Sequence, residues 1–513
     1  MCPLTTALAL VLLCLLAYRY LWNRPAVFEE RGIEFTKPWP IVGNMAPVLF
    51  RRKFVSEHLT NYYFKYEHLK YFGFYNLVSP TIVIRDPELV ATIAIKNFDH
   101  FTDHTGFVNE DMDPLMGKNL FALRGDRWRE MRKLLSPAFT SSKMKAMFKL
   151  IVDCADKTAD FIAEESGKGR LWDMQDMARR YTNDVVATTS FGIAVDSLKE
   201  PNNEFYRVGR ECLNFSTLVS LKMLIGRSFP TLTKLLGIKI FGDRPRKFFT
   251  RVVAETVKMR EEKGIHRPDV IQLMMDSRDK DGKRLPIDEM TNQAFVFFLG
   301  GFETTSTMLC LVAQLIATEQ EVRKKLLVEV EEARRKIEEG EPIYEVIRDM
   351  VYMDAFLDET MRMYPIATFL DRVCVKEFEL PPAEPGAKPV KVKPGDLLWF
   401  MPAGIHHDPK YYPDHDVFRP ERFLNGEVSP HTNIPFGIGP RVCLGQRFAM
   451  MEAKVLFYFL LQRCVLEPCE KTTVPLKFSP KSIMMIPATG YWLNIKKKTD
   501  GSMSNGTVSN GSI

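Results

Sequence analysis

The sequence predicts a helical protein led by a membrane-spanning segment, and three observations carry that prediction. Residues Asp288 to Glu319 read as one long helix, with Phe295, Phe298 and Phe302 at three- and four-residue spacing. Glu359 and Arg362, and likewise Trp128 and Arg132, stand one helical turn apart, where side chains meet. Met1 to Tyr18 contains no charged residue and approaches the roughly 20 residues that span a bilayer.

At the N-terminus no basic residue precedes the apolar run from Leu8 to Ala17 and no A-x-A-like site follows it, so a retained anchor is expected rather than a cleaved secretory peptide. Arg19 and Arg24 follow directly, which places the chain beyond them in the cytosol by the positive-inside rule. Glu29 and Glu30 do not suit a mitochondrial leader, and the endoplasmic reticulum membrane is the expected address. Lys37 to Asn44, punctuated by Pro38, Pro40 and Gly43, reads as a stiff hinge. The expected organisation is an anchor over 1–22, a linker and proline-rich hinge over 23–44, a folded domain over 45–498 and a disordered tail over 499–513, rich in Gly, Ser and Asn. Sequons at Asn505 and Asn510 would stay unmodified in a cytosolic tail.

A chain of 513 residues with 46% hydrophobic content can bury a large core. Its nine cysteines are odd in number and lack framework spacing, which suits a reducing compartment. A net charge of +6 is modest for this length and argues against nucleic acid as a partner. The sequence contains neither a Walker loop nor a dinucleotide fingerprint, so the chain itself is not expected to bind NADPH or FAD.

The run Phe436-Gly437-Ile438-Gly439-Pro440-Arg441-Val442-Cys443-Leu444-Gly445 offers one sulfur in a glycine-rich, proline-kinked turn. Gly439 and Gly445 permit a tight path that aims amides at the sulfur, and Arg441 adds positive charge, so Cys443 is expected as a thiolate able to hold a haem iron. An isolated cysteine would instead read as a buried structural one. The whole run resembles the haem-thiolate loop of the cytochrome P-450 family, F-x-x-G-x-R-x-C-x-G, at every specified position. The resemblance covers almost the whole chain after the N-terminus. It implies a cytochrome P-450 fold, mainly α with a small β-rich lobe and preceded by a single N-terminal transmembrane helix. It also implies haem b ligated by Cys443, with Phe436, Gly439 and Gly445 at the cofactor. His406, His407 and His431 lie in no matching motif, and His406-His407 reads as a polar turn or a partner of the haem loop.

In the long helix, Gly300-Gly301-Phe302-Glu303-Thr304-Thr305 contains adjacent glycines that cost a helix about 2 kcal/mol relative to alanine. Something must approach that backbone, either a crossing helix or a small ligand against a widened turn. The segment resembles the family's oxygen-binding pattern, which implies that Thr304 and Glu303 are the catalytic pair that relays protons. Glu359 and Arg362 alone would read as a surface salt bridge. With Pro420-Glu421-Arg422-Phe423 they resemble the family's E-x-x-R motif and its PERF-type partner, implying a buried network of Glu359, Arg362 and Arg422 that braces the loop leading to Cys443. Trp128 and Arg132 suit an exposed amphipathic helix, and also the family's W-x-x-x-R pattern. The latter implies haem-propionate contacts, with Arg372 and Arg441 as further candidates because guanidinium pairs bidentately with carboxylate.

Phe121, Leu123, Leu299, Gly300, Ile366, Ala367 and Leu370 stand in positions resembling the family's substrate-recognition segments, and their apolar character predicts a lipophilic substrate. Phe229 to Phe241 resembles the region between the F and G helices and is expected at the membrane surface. Leu135 to Thr140 and the stretch from Glu359 resemble the branch holding vertebrate broad-specificity drug oxidases and insect detoxification enzymes. The implied activity is a microsomal monooxygenase of xenobiotics such as plant toxins or insecticides, using dioxygen. Its electrons would come from a separate NADPH-cytochrome P-450 reductase, with cytochrome b5 as a second partner, docking near Arg127, Lys133, Arg447 and Lys454. The alternatives are a biosynthetic monooxygenase of lipids or hormones, a reductase-independent haem-thiolate isomerase, and a non-catalytic haem carrier. Intact Glu303-Thr304 favours oxygen chemistry over an isomerase, because rearranging a peroxide needs no such relay.

Overall fold

Nine helices that position the site form where apolar residues recur every three or four positions: α1 (Val55–Lys65), α2 (Gly125–Leu135), α3 (Ser141–Ser166), α4 (Met174–Val186), α5 (Asp243–Lys263), α6 (Ile287–Thr318), α7 (Gln320–Glu338), α8 (Val351–Met363) and α9 (Gln446–Arg463). This computed structural model describes residues 26–498 except 107–109, 111, 279–281 and most of 214–234, together with Leu12. The rest of the expected anchor, and the tail over 499–513, lie outside the described residues.

On α3, Met144, Met147, Phe148, Ile151, Ala155, Thr158, Ala159 and Ile162 form one buried face, and it packs against α9, the helix that follows Cys443. Among the described residues only α6 is long and apolar enough to cross a membrane. Because 67% of its most apolar window is buried inside the fold, it is the central core helix. It begins and ends one residue before the expected limits.

The strands form a four-stranded sheet in the order β1 (Tyr71–Asn76), β2 (Ser79–Ile84), β7 (Leu397–Phe400), β4 (Leu370–Val373). β3 (Leu171–Asp173), β9 (Trp492–Lys497) and β8 (Cys464–Pro468) form a second sheet, and β5 (Phe378–Leu380) pairs with β6 (Val390–Val392). β2 runs parallel to β7 and β4 antiparallel to it, opposing Arg372 to Leu398. The β lobe has its own core, which includes Phe72, Val83, Ile84, Trp399 and Phe400.

Part of the expected linker belongs to this lobe. Residues Ala26–Arg31 are helical, Phe28 is buried against Tyr75, and Arg31 pairs with Asp396 at 2.6 Å. Apolar burial and an ion pair thus hold a segment that its prolines and charges mark as a connector. The stretch ending at Phe241 also divides: Leu235 and Leu236 are exposed, whereas Ile240 and Phe241 enter the helical core.

Helices and loops are tied together at Glu359 on α8. Its Oε2 accepts from Arg362 Nε at 2.7 Å, and its Oε1 accepts from Arg362 Nη2 at 2.9 Å, Arg422 Nε at 3.1 Å and the Arg419 amide at 2.9 Å. Arg362 also donates to the His406 and His415 carbonyls, and Arg422 to those of Pro413, Asp414 and Val417. His406 Nε2 accepts from the Ile434 amide at 3.0 Å while Nδ1 faces the Arg362 carbonyl, which fixes a neutral ring. Burial holds its pKa well below the ordinary imidazole value. All three charged side chains are at most 1% exposed. Glu359→Ala would leave two buried guanidiniums without their carboxylate, and denaturant unfolding should register a loss of about 3–5 kcal/mol. Stability within about 0.5 kcal/mol of the parent would contradict a bracing role.

Candidate active site

The loop before α9 is shaped by a close approach. Gly439 has φ +74°, and a Cβ there would lie 2.1 Å from the Ala94 carbonyl oxygen, so only glycine fits. The Cys443 amide donates to the Phe436 carbonyl at 2.8 Å, closing the loop, and Phe436 packs half-buried on the helical core. Gly445 differs from expectation: its φ of −90° suits any residue and a Cβ would meet nothing within 4 Å. The tight-path argument therefore holds for Gly439 and not for Gly445.

Cys443 is exposed, yet the crowded protein around its sulfur pushes the thiol up, opposed by the amides of Gly445 and Gln446 and by the Arg132 guanidinium. The charge bearing on the sulfur is thus Arg132 rather than the expected Arg441. Arg132 on α2 donates to the Val442 carbonyl at 2.8 Å. Arg441 turns the other way, 3.9 Å over the Trp128 ring, and donates to the Thr102 and Leu123 carbonyls at 2.8 and 3.0 Å. Arg372, on β4, donates to the Asp371 and Ile438 carbonyls, and its buried Nε has no partner.

Trp128, Arg132, Arg372 and Arg441 therefore border one region, and the charges of the three arginines are largely uncompensated. Neither Arg132 nor Arg372 forms an ion pair with a described carboxylate, and Arg441 reaches only Asp103, at 3.8 Å. Burial pushes Arg372 down to about 10, and burial together with Arg372 pushes Arg441 down to about 9. The nearby Asp371 carboxylate is engaged elsewhere, accepting from the Thr105 amide at 2.6 Å and from the Thr105 hydroxyl, and lying 2.8 Å from His104 Nδ1. Asp103 accepts from the Gly125 amide at the start of α2. The segment Thr102-Asp103-His104-Thr105 thus organises this wall, and sequence reasoning missed it because short polar runs are common in loops.

On α6, Gly300–Thr304 forms a π turn, the widened turn expected there. The two adjacent glycines have different surroundings. A Cβ on Gly301 would lie 2.7 Å from Val186 Cγ2, so it serves a helix crossing, whereas Gly300 faces open space. Thr304 Oγ1 donates within its own turn to the Gly300 carbonyl. Glu303 is buried, and both its oxygens accept from Arg179 on α4, at 2.9 and 2.5 Å.

The expected pocket residues are dispersed around this region. Phe121 stacks on His104 at 4.8 Å, and Leu123 is buried in the helical core that Leu299 partly joins. Ile366 packs on the helical core and Leu370 on the sheet core, with Ala367 half-buried beside them in sequence. Among the docking candidates Arg127, Lys133 and Arg447 are exposed, but Lys454 is not. Its side chain is 3% exposed, and its ammonium donates to the Arg348 carbonyl at 2.6 Å and to Asp354 at 2.8 Å, so it cannot meet a partner.

Buried guanidiniums without carboxylates suit a dianionic ligand, and beside a sulfur with two amide donors they fit the propionates and axial bond of a haem-thiolate protein. A family model described as "Cytochrome P450" matches residues 34–494. The chain is 39% identical to "Cytochrome P450 9e2" of Blattella germanica, over 93% of this chain and 95% of that protein. Identity to "Probable cytochrome P450 9f2" of Drosophila melanogaster is 34%, over 94% and 97%, and to "Probable cytochrome P450 6a21" of the same fly 33%, over 96% and 98%. The chain belongs to the cytochrome P450 family. It is a monooxygenase-family oxidoreductase, and its cofactor is haem held by a cysteine thiolate.

Each charge-assisted pair to a propionate contributes about 1.5–3 kcal/mol. Arg372→Met and Arg441→Met should therefore each speed haem transfer to apomyoglobin by about tenfold or more. Parental transfer rates in both would exclude propionate contacts.

Proposed function

We propose that the chain is a membrane-anchored monooxygenase of lipophilic xenobiotics, such as plant toxins or insecticides, with Cys443 as the thiolate that would hold the haem iron. The observation that carries this reading is Cys443 beside Arg132, with Arg372 and Arg441 on the same wall and the charge of all three not taken up by close carboxylates. When bound, haem supplies the redox chemistry, and a thiolate ligand favours cleavage of the dioxygen bond. Substrate, dioxygen, two electrons and two protons give an oxygenated product and water.

The chain's own groups have separate tasks. The Gly445 and Gln446 amides support the sulfur; Trp128, Arg132, Arg372 and Arg441 would hold the haem propionates. Phe121, Leu123, Leu299, Ile366, Ala367 and Leu370 favour an apolar substrate and exclude water around it, while Gly300 leaves room against α6. Glu303 and the Thr304 hydroxyl would deliver protons at the wide turn of α6. Electrons come from an NADPH-cytochrome P-450 reductase, assisted by cytochrome b5, meeting exposed Arg127, Lys133 and Arg447. Resemblance to the detoxification branch and the apolar lining support the substrate class. The charge-free run from Met1 to Tyr18 supports anchoring in the endoplasmic reticulum membrane with a cytosolic catalytic domain.

Cys443→Ala should lose the thiolate-type Soret band of the reduced carbon-monoxide complex and all NADPH-dependent product. A normal band would require another sulfur ligand, and product formed by the parent protein without NADPH or reductase would favour an isomerase. Removing residues 1–25 should shift most of the protein from the membrane to the soluble fraction with that band intact. Unchanged sedimentation with membranes would contradict the anchor.

A further inference from the structure

Three side chains of α4 meet the π turn of α6, and none belongs to the haem-binding set. Arg179, Thr182 and Val186 stand at i, i+3 and i+7 and so share one helical face. Arg179 Nε and Nη2 donate to the two carboxylate oxygens of Glu303. Thr182 Oγ1 donates to the Phe302 carbonyl at 3.0 Å. Val186 fills the space that a side chain at residue 301 would need.

Each contact answers a need created by the wide turn. Widening loosens the helical ladder, and the Thr182 hydroxyl supplies the Phe302 carbonyl with a further donor. Gly301 lets α4 approach closely enough for that bond to form. With 4% side-chain exposure, Glu303 could not stay charged at low cost without a partner, and Arg179, at 21%, carries the opposite charge from the surface inward. The charges of the α4 face and of α6 are thereby matched at one position, the acid beside Thr304.

We propose that α4 is a clamp on the oxygen-side turn, in which Arg179 is a positioning residue that keeps the Glu303 carboxylate ionised and oriented, while Thr182 and Val186 hold the backbone of the turn. This inference rests on the reading of Glu303 as a proton-delivering acid. Its consequence is that the coupling of electron consumption to product depends on a side chain that touches neither substrate nor haem.

The test uses the full haem-loaded chain with reductase and NADPH, in Arg179→Gln, Arg179→Lys, Glu303→Gln and the Arg179→Gln/Glu303→Gln double variant, each first checked for a thiolate-type carbon-monoxide spectrum. Peroxide released per NADPH should rise severalfold in Arg179→Gln, return most of the way in Arg179→Lys, and be no higher in the double variant than in Glu303→Gln. Independently of turnover, Arg179→Gln should gain the infrared C=O stretch of a protonated carboxyl at neutral pH, and the double variant should lack it. Parental coupling and no new carboxyl band in Arg179→Gln, alongside an uncoupled Glu303→Gln, would overturn the clamp while leaving Glu303 its proton role. Full coupling in Glu303→Gln would instead sink that proton role, and the infrared band alone would then decide whether Arg179 holds the carboxylate.

Discussion

The carboxylate of Glu359 is the charge on which the surroundings of the haem loop depend. It is fully buried and shared by Arg362, Arg422 and the amide of Arg419. The two arginines then satisfy carbonyls from His406 to Val417, a stretch whose irregular path leaves few intrahelical partners. Guanidinium has five donors in a rigid fork, so two of them serve many carbonyls at once. Neutral His406 extends the chain of bonds to the amide of Ile434, two residues before Phe436. Haem-loop geometry thus rests on a braced segment rather than on the loop's own few hydrogen bonds.

The contrast with the site arginines is electrostatic. Arg362 shares a carboxylate at hydrogen-bond distance, whereas Arg372 and Arg441 are buried among carbonyls, with the nearest carboxylates engaged by His104, Thr105 and the Gly125 amide. Burial therefore pushes both down, joined at Arg441 by the like charge of Arg372, and the Asp371 and Asp103 carboxylates oppose it only in part. Residual positive charge of this kind costs folding energy and is recovered when an anion binds. At α6 a third arrangement appears, in which Arg179 and Glu303 are matched one to one. One residue type serves bracing, binding and positioning, and the difference lies in how close an acid stands.

Motif-scale features were legible before any fold was known. The span of α6 follows from its apolar periodicity, and the meeting of Glu359 with Arg362 from helical spacing. The need for glycine at residue 439 follows from a turn too tight for a side chain. Other features were not legible. Charged Lys454 reads as solvated, yet it is buried beside Asp354; Ala26–Arg31 reads as linker, yet it packs on the sheet.

What the sequence alone determined is local: the span of the long core helix, the glycine that the turn at residue 439 demands, and which cysteine sits in a loop able to bind iron. The tertiary structure decided which charges lost their water and what replaced it. Arg132 reaches the Val442 carbonyl across 310 residues, Arg441 the Thr102 carbonyl across 339, and Arg179 meets Glu303 across 124. No periodicity or short motif encodes such pairings, because each depends on how helices cross and how near two backbones come. The energy of a buried charge is set by that distance and by the water it displaces, and both are properties of the packed molecule.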